Sequence, residues 1–216
     1  MGNLVIFGTG GHAESIHELA ELTGWRVSAF IDPFFRLDAK NGVNVYLSLQ
    51  KLLESEDNDF SVFIAVGENS IRKQIYTSII SHGLNLNFPS LIHPRACVSK
   101  NSIIGNGSAV MSNSNLATGV EISNFVIIGS NSSLDHGSKI GKFSQVAPGA
   151  TIAGNVEIGE NVFVGSGSTV IHNLIISSNS VLGAGSLLLN DLEENILAFG
   201  SPAVKIRERK NDELIF

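Results

Sequence analysis

Two histidines stand thirty-six residues apart, His136 in Leu134-Asp135-His136 and His172 in Val170-Ile171-His172. A neutral imidazole near pH 7 can take a proton from a hydroxyl or an amine as that group attacks a thioester. His136 is the better candidate for such a base, because it lies closer to the N-terminal part of the chain and has Asp135 beside it; the plain alternative is a solvated surface histidine. A second chemical signal lies near the start. The apolar run Leu4–Phe7 is followed by Gly8-Thr9-Gly10-Gly11-His12 and then by an amphipathic segment over about Ala13–Leu22. A glycine turn between strand and helix offers backbone amides and a helix N-terminus to a phosphate or another anion. The spacing G-x-G-G-H lacks the third glycine of the dinucleotide fingerprint, which argues against a dinucleotide; a tight turn with no ligand is the other reading. Asp32-Pro33 closes a second strand, Val27–Ile31, where such folds bind a ribose or base, although an acid before proline also suits a turn. Gly10, Gly11, His12, Asp32, Pro33 and Gly67 are therefore the expected substrate site, at the C-terminal ends of the strands of a small open α/β sheet.

The elements that carry these residues follow from periodicity. From Ile92 to Leu188 an Ile, Val or Leu returns at every sixth position, seventeen times without a break. Six is neither the 3.6 of a helix nor the alternation of a strand. It is the hexapeptide repeat of a parallel β-helix, in which each hexapeptide is one short strand and a turn. Three hexapeptides close one triangular coil, so residues eighteen apart stack at roughly 4.8 Å per coil. A small residue, such as Ser108, Ser114 or Ser138, follows most aliphatics by four places and fits the tight corner. Glycine often follows by one, as at Gly105, Gly129 and Gly165, and is expected to relieve backbone crowding and to permit positive φ there. In this frame His136 and His172 share one edge, two coils or about 9–10 Å apart by the strand spacing, with Gly154 between them to leave room. That separation, with no third ligand, speaks against zinc.

Ahead of the prism, residues 1–90 read as a Rossmann-like α/β unit. Leu47–Leu53 is a short helix with Ser48 as its cap. Ser61–Val66 is a third strand leading through Gly67-Glu68-Asn69 into a helix that ends near Ser81, with Asn69 as its cap, and Leu84–Leu86 is a fourth strand. Arg72 falls in the first turn of that helix, where a cation opposes the helix dipole; it either faces a bound anion or is solvated. Residues 91–193 form the prism and 194–216 a tail. His17 and His82 read as helix-surface residues and His93 as a loop residue. The net charge of −6 over 216 residues, with no basic run before the tail, makes nucleic acid an unlikely partner. One cysteine, Cys97, excludes an internal disulfide and fits a reducing compartment. There is no signal peptide and no apolar stretch near the ~20 residues of a membrane span, so a cytoplasmic chain that does not engage membranes is expected.

The combination of Gly8–His12, Phe30-Ile31-Asp32-Pro33, Ala65–Lys73, the prism and the closing Gly200-Ser201-Pro202-Ala203 resembles the hexapeptide sugar acyltransferases. That family is associated with sialic acid O-acetylation and with bacterial UDP-amino-sugar N-acetylation. The resemblance implies a left-handed β-helix, a homotrimer with clefts between neighbouring prisms, and acetyl-coenzyme A as co-substrate with no metal. It implies that His136, before Ile140-Gly141-Lys142-Phe143, is the catalytic base. It places Gln145 in the coenzyme cleft, Ser166 and Ala184 beside the pantetheine arm, and Gly200, Pro202 and Ala203 at the far end. The basic tail Lys205–Lys210 is either at the coenzyme phosphates or solvated. Two departures stand out: Gly137 follows the base where N-acetyltransferases carry an acid, and Gly129 replaces a substrate-contacting Asn. The His-Gly form resembles the sialic acid branch, so O-acetylation of sialic acid or a related sugar is the first expectation. N-acetylation of a UDP-4-amino-sugar is the second, and a non-catalytic trimeric partner of a sialic acid biosynthetic enzyme the third.

Overall fold

The computed structural model describes residues 2–54, 59–210 and 213–215. The N-terminal sheet contains β1 (Asn3–Phe7), β2 (Arg26–Ile31), β3 (Ala39–Lys40), β4 (Val43–Tyr46) and β5 (Ser61–Ile64), in the order β3-β4-β2-β1-β5. All neighbours pair in parallel except β3 and β4. Helices α1 (Gly11–Leu22), α2 (Leu49–Leu53) and α3 (Asn69–Ser81) connect them. The apolar run of β1 is buried from Leu4 to Phe7 because helices cover both faces of the sheet. Ser48 caps α2, its Oγ accepting from the Lys51 amide at 3.2 Å.

Three local expectations change. Leu84–Leu86 is not a strand; the segment meets the sheet only through an isolated bridge between Ser61 and Asn87, while Leu84 and Leu86 pack into the apolar cluster under α3. The fourth parallel strand is β4 instead. It is reached by a tight hairpin through Asn41 and Gly42, both at positive φ (51° and 76°), the Asn-Gly signal of a two-residue turn. Asn69 is the first residue of α3 rather than its cap; its side chain reaches away to donate to the Val162 carbonyl at 3.0 Å.

Strands β6 (Leu91–Ile92) to β22 (Leu187–Leu188) are seventeen two-residue strands, and each ends on one of the six-spaced aliphatics. They form three parallel sheets, each pairing residues eighteen apart, as in Leu116↔Leu134 and Ile128↔Val146. The first face begins with Leu91–Ile92, the second with Cys97–Val98 and the third with Ile103–Ile104. The aliphatics meet on the axis as one buried column. After the last coil, β23 (Ile196–Gly200) extends the first face and β24 (Ala203–Glu208) pairs antiparallel with it.

The serines do more than fit the corners. Ser108 is fully buried; its hydroxyl donates to the Ser123 carbonyl at 2.9 Å and accepts from the Val126 amide at 3.0 Å. Ser144 bridges the Gly159 carbonyl and the Val162 amide in the same way. Each such hydroxyl joins two coils that the strand ladders leave unpaired at the corner. The glycines relieve crowding as expected, but without positive φ. At Gly129 and Gly165 an added Cβ would lie 2.5 Å and 2.4 Å from the backbone of the next coil, so the requirement there is clearance. Positive φ falls two residues later, and from Gly107 to Gly185 each corner residue at that place is Gly or Asn, except Phe125 and Phe143.

The Ser108→Ala variant leaves the Val126 amide and Ser123 carbonyl without their partner and should lower stability by about 1–3 kcal/mol. Chemical denaturation monitored by circular dichroism measures this, with an unchanged denaturant slope.

Candidate functional site

The first candidate region lies at the C-terminal ends of β1 and β2. A cavity of about 500 Å³ is floored by Phe7, Gly8 and Ile31 and walled on one side by Ile71, Ile75 and Ile79 of α3. Its rim carries Asp32, Pro33 and Phe34 opposite Ser48, Gln50 and His82. The Asp32 carboxylate accepts from Thr9 Oγ1 at 2.6 Å and from the Phe34 amide at 2.9 Å. These bonds fix the acid at the mouth and hold the glycine turn against the second strand. Of the six residues expected at a substrate site, only Asp32 and Pro33 line this cavity.

The other four lie beside it. Gly10 and Gly11 open α1, are exposed, and would have empty space around an added Cβ. Gly10 caps α1 with no side-chain hydrogen bond, which leaves the first-turn amides to an external acceptor. His12 and Gly67 converge instead on Arg72, whose Nη1 donates to the Gly67 carbonyl at 3.2 Å. The His12 Nε2 atom is buried without a hydrogen-bond partner. Burial, and secondarily the Arg72 charge, push this imidazole down to about 4.

Thr9, Phe34, Gln50 and the apolar side of α3 were not singled out from the sequence. The cue for α3 was its spacing, with Ile71, Ile75 and Ile79 four residues apart. His82 is exposed at the end of α3, as expected, yet it also belongs to the rim. His17 is not a free surface residue; its ring meets Phe30 edge-on at 5.5 Å and its side chain is 13 % exposed.

The second region is on the prism. His136 lies on the edge between the second and third faces and is exposed. Gly154 sits one coil below it. A Cβ there would come within 2.6 Å of the imidazole Cε1 and 2.7 Å of Nε2, so the ring rests on bare backbone. Asp135 does not serve the imidazole; its Oδ1 accepts from the His136 backbone amide at 2.7 Å. His172 follows two coils on and is also exposed. Ser166 and Ala184 are exposed on a different edge, between the first and second faces, and Gln145 lies on the first face with Oε1 buried and unpartnered. Gly200, Pro202 and Ala203 form the turn between β23 and β24, where the Gly200 amide donates to Ser186 Oγ. One chain therefore does not bring His136 together with the residues expected around the coenzyme. Three of the four tail cations are engaged internally: Arg207 holds the Glu213 carboxylate through both terminal nitrogens, Arg209 donates to the Glu213 and Asn179 carbonyls, and Lys205 pairs with Glu208. Among the described residues no cluster of side chains could hold a metal ion.

The depressed His12 value has a signed consequence. The unfolded chain takes up a proton at the ordinary histidine value of 6.5, the folded chain only at about 4. Stability is complete above 6.5 and declines as pH falls between these values, by up to about 3 kcal/mol through linkage. A His12→Asn variant should show a shallower fall of Tm between pH 7 and pH 4.5, measured by thermal melts at constant ionic strength.

Residues 3–79 match the PglD N-terminal domain, and residues 137–172 and 155–190 match the bacterial transferase hexapeptide repeat. Over 117 residues the chain is 36 % identical to UDP-N-acetylbacillosamine N-acetyltransferase from Bacillus subtilis (strain 168), a match covering 52 % of each protein, so it spans about half the length of that relative. Solved structures align over nearly the whole chain. The acetyltransferase domain of PglB from Neisseria gonorrhoeae FA1090 superposes with a TM-score of 0.88 and 31 % identity, over 95 % of this chain and 100 % of that one. A variant of perosamine N-acetyltransferase from Caulobacter crescentus, in complex with CoA and GDP-perosamine, gives a TM-score of 0.88 and 30 % identity, over 96 % and 98 %. With a PglD-type N-terminal domain joined to a hexapeptide prism, and likeness to both structures from end to end, the chain belongs to the PglD-like family of hexapeptide-repeat acetyltransferases.

Proposed function

We propose that this protein transfers the acetyl group of acetyl-coenzyme A to the amine of a nucleotide-linked amino sugar, with His136 as general base. The observation that carries the reading is the pairing, in one chain, of an apolar cavity at the strand ends with an exposed imidazole seated on bare backbone at Gly154. The relatives support the amine acceptor: two of the three are named as N-acetyltransferases, and one of these is bound to a nucleotide-linked amino sugar. That support favours N-acetylation over the O-acetylation of a sialic acid that the His136-Gly137 pair suggested, and over a non-catalytic partner.

In the reaction the amine nitrogen attacks the thioester carbonyl carbon. The new C–N bond forms as the C–S bond breaks, His136 takes the proton released by the amine, and the coenzyme thiolate leaves and recovers that proton. The nucleotide's base and ribose occupy the cavity beside Asp32 and Pro33, and its phosphates approach the first-turn amides of α1 at Gly10, Gly11 and His12. Gly67 and His12 complete the substrate side. The coenzyme arm runs along the edge marked by the exposed Ser166 and Ala184. Gln145 lines the same cleft, with Gly200, Pro202 and Ala203 at its far end. Because His136 and Ser166 lie on different edges of one prism, a neighbouring copy is needed to bring the two kinds of edge together, and a homotrimer does so with each chain giving one edge and receiving the other.

The test is thiol release by the purified protein from acetyl-coenzyme A, with UDP- and GDP-linked 4-amino sugars and with free sialic acid as acceptors. Turnover with a nucleotide-linked amino sugar supports the reading, while turnover confined to sialic acid, or none at all, sinks it. His136→Ala should lower kcat by about 10²–10⁴-fold. Gly154→Ala keeps the base but displaces its ring; it should lower kcat by about 10–100-fold with little change in Tm, as measured by steady-state kinetics beside thermal melts. Light scattering should give the mass of three chains.

A further inference from the structure

Arg72 is the largest of the fully buried side chains, at 1 % exposure, and it touches neither the cavity nor His136. Its guanidinium joins three segments. Nη1 donates to the Val66 and Gly67 carbonyls at the turn before α3, at 2.8 Å and 3.2 Å. Nε donates to the Phe125 carbonyl at 3.0 Å, and Nη2 to the Phe143 carbonyl at 2.9 Å and to Asn69 Oδ1 at 2.8 Å. Phe125 and Phe143 belong to successive coils on the edge between the third and first faces. No carboxylate is among these acceptors. A buried cation held only by amide oxygens is a costly way to glue two surfaces, and apolar residues commonly do as well or better. What the planar fork adds is direction, because its donors are fixed relative to one another.

The prism is also strained where it meets the fork. Phe125 and Phe143 stand at φ 59° and 57°, in the left-handed position that every other corner from Gly107 to Gly185 gives to Gly or Asn. A bulky residue there costs on the order of 1–3 kcal/mol. The two rings stack with centroids 5.1 Å apart and planes 4° apart, and Tyr76 of α3 meets the Phe125 ring at 4.5 Å. Helix α3 is thus two-sided. Asn69, Arg72 and Tyr76 face the prism, and Ile71, Ile75 and Ser78 face the cavity.

From this two-sided helix we infer that Arg72 is a positioning residue for acetyl transfer, fixing the angle of α3, and with it the nucleotide cavity, against the prism that presents the acetyl-transfer edge. The inference rests on the proposed nucleotide-sugar reading. Nucleotide binding then helps place the amine at the base only while the cavity wall and the prism keep one orientation; loosening the fork leaves the lining of the nucleotide cavity and the coenzyme edge in place and misaligns them.

The experiment compares wild type with Arg72→Met and Arg72→Lys. Calorimetry with UDP and GDP gives nucleotide affinity, steady-state kinetics give kcat and the KM for acetyl-coenzyme A, and thermal melts identify the folded variants. The expected result for Arg72→Met is a kcat reduced about 30–100-fold, with the Kd of the nucleotide that wild type binds and the KM of acetyl-coenzyme A each within about threefold of wild type. Arg72→Lys, whose ammonium engages only part of the acceptor set, should fall between, and it is scored by the same ratios if the Met variant does not fold. An unchanged kcat, or loss of nucleotide affinity in proportion to kcat, overturns the positioning role. Failure of wild type itself to bind either nucleotide or to turn over an amino sugar falsifies the function reading instead.

Discussion

The constraint beneath everything else is the eighteen-residue return of the prism. Once each coil closes after three strands, every position in the chain acquires a fixed neighbour eighteen residues away, and side chains can be chosen column by column. Leu116 pairs with Leu134 in the ladder and Leu134 with Ile152, all on the axis. The corner serines then become rungs, since each hydroxyl satisfies both a carbonyl and an amide of the next coil's corner. The left-handed corner favours Gly or Asn, and from Gly107 to Gly185 only Phe125 and Phe143 depart from that choice. His136 gains its seat from the column that contains Gly154. The chemistry is an occupant of this lattice, and its geometry is inherited from backbone repetition.

The N-terminal unit attaches to the lattice at the one place where the lattice breaks its own rule. Phe125 and Phe143 occupy left-handed corners and are stabilised by each other, by Tyr76 and by Phe88. Gly107 lies one coil earlier in that column, and a Cβ there would meet the Phe125 ring at 2.4 Å. So the column reads glycine, then two aromatics, then Asn161 and Asn179, which bond to each other. Aromatic packing offsets the strain only where α3 covers the edge. Two apolar clusters run across the junction, one joining β1 and α1 to Leu91 and Ala109, the other joining β1, β5 and α3 to Phe125 and Phe143. A tail residue adds a further tie, the Ile215 amide donating to Glu68 at the start of α3.

The prism was readable in the sequence because its signal is local and repeats: the aliphatics at Ile92 through Leu188 locate every strand of the coil. The β1-α1-β2 unit was readable for a similar reason, a short apolar run, a glycine turn and an amphipathic helix in succession. What stayed hidden depends on contacts far apart in the chain. Leu84–Leu86 is as apolar as a strand, but its side chains are used against the α3 cluster. The true strand Val43–Tyr46 is short and was marked only by Asn41-Gly42. Arg72 looked like a cation for an anion or for solvent because its partners, Phe125 and Phe143, are more than fifty residues away. The cavity rim at Phe34, Gln50 and His82 likewise comes from a turn, a short helix and a helix end whose nearness no spacing announces.

The residue after His136 shows how a functional signature can report backbone geometry instead. Gly137 stands in the same corner place as Asn131 and Phe143, at φ 69°. An L-residue there has to adopt the left-handed region, and its Cβ would lie 2.5 Å from Asn155 Oδ1. Asn155 in turn bonds to Asn173 one coil on, and its amide donates to the His136 carbonyl. Glycine at 137 therefore answers the demands of this corner and its asparagine stack. The neighbouring acid, Asp135, is committed to the His136 amide, which steadies the backbone that carries the base. Neither residue touches the acceptor through the imidazole, so the His136-Gly137 pair carries no information about whether a hydroxyl or an amine attacks. That choice belongs to whatever holds the acceptor, which in the proposed reading is the strand ends and α3, outside the repeat.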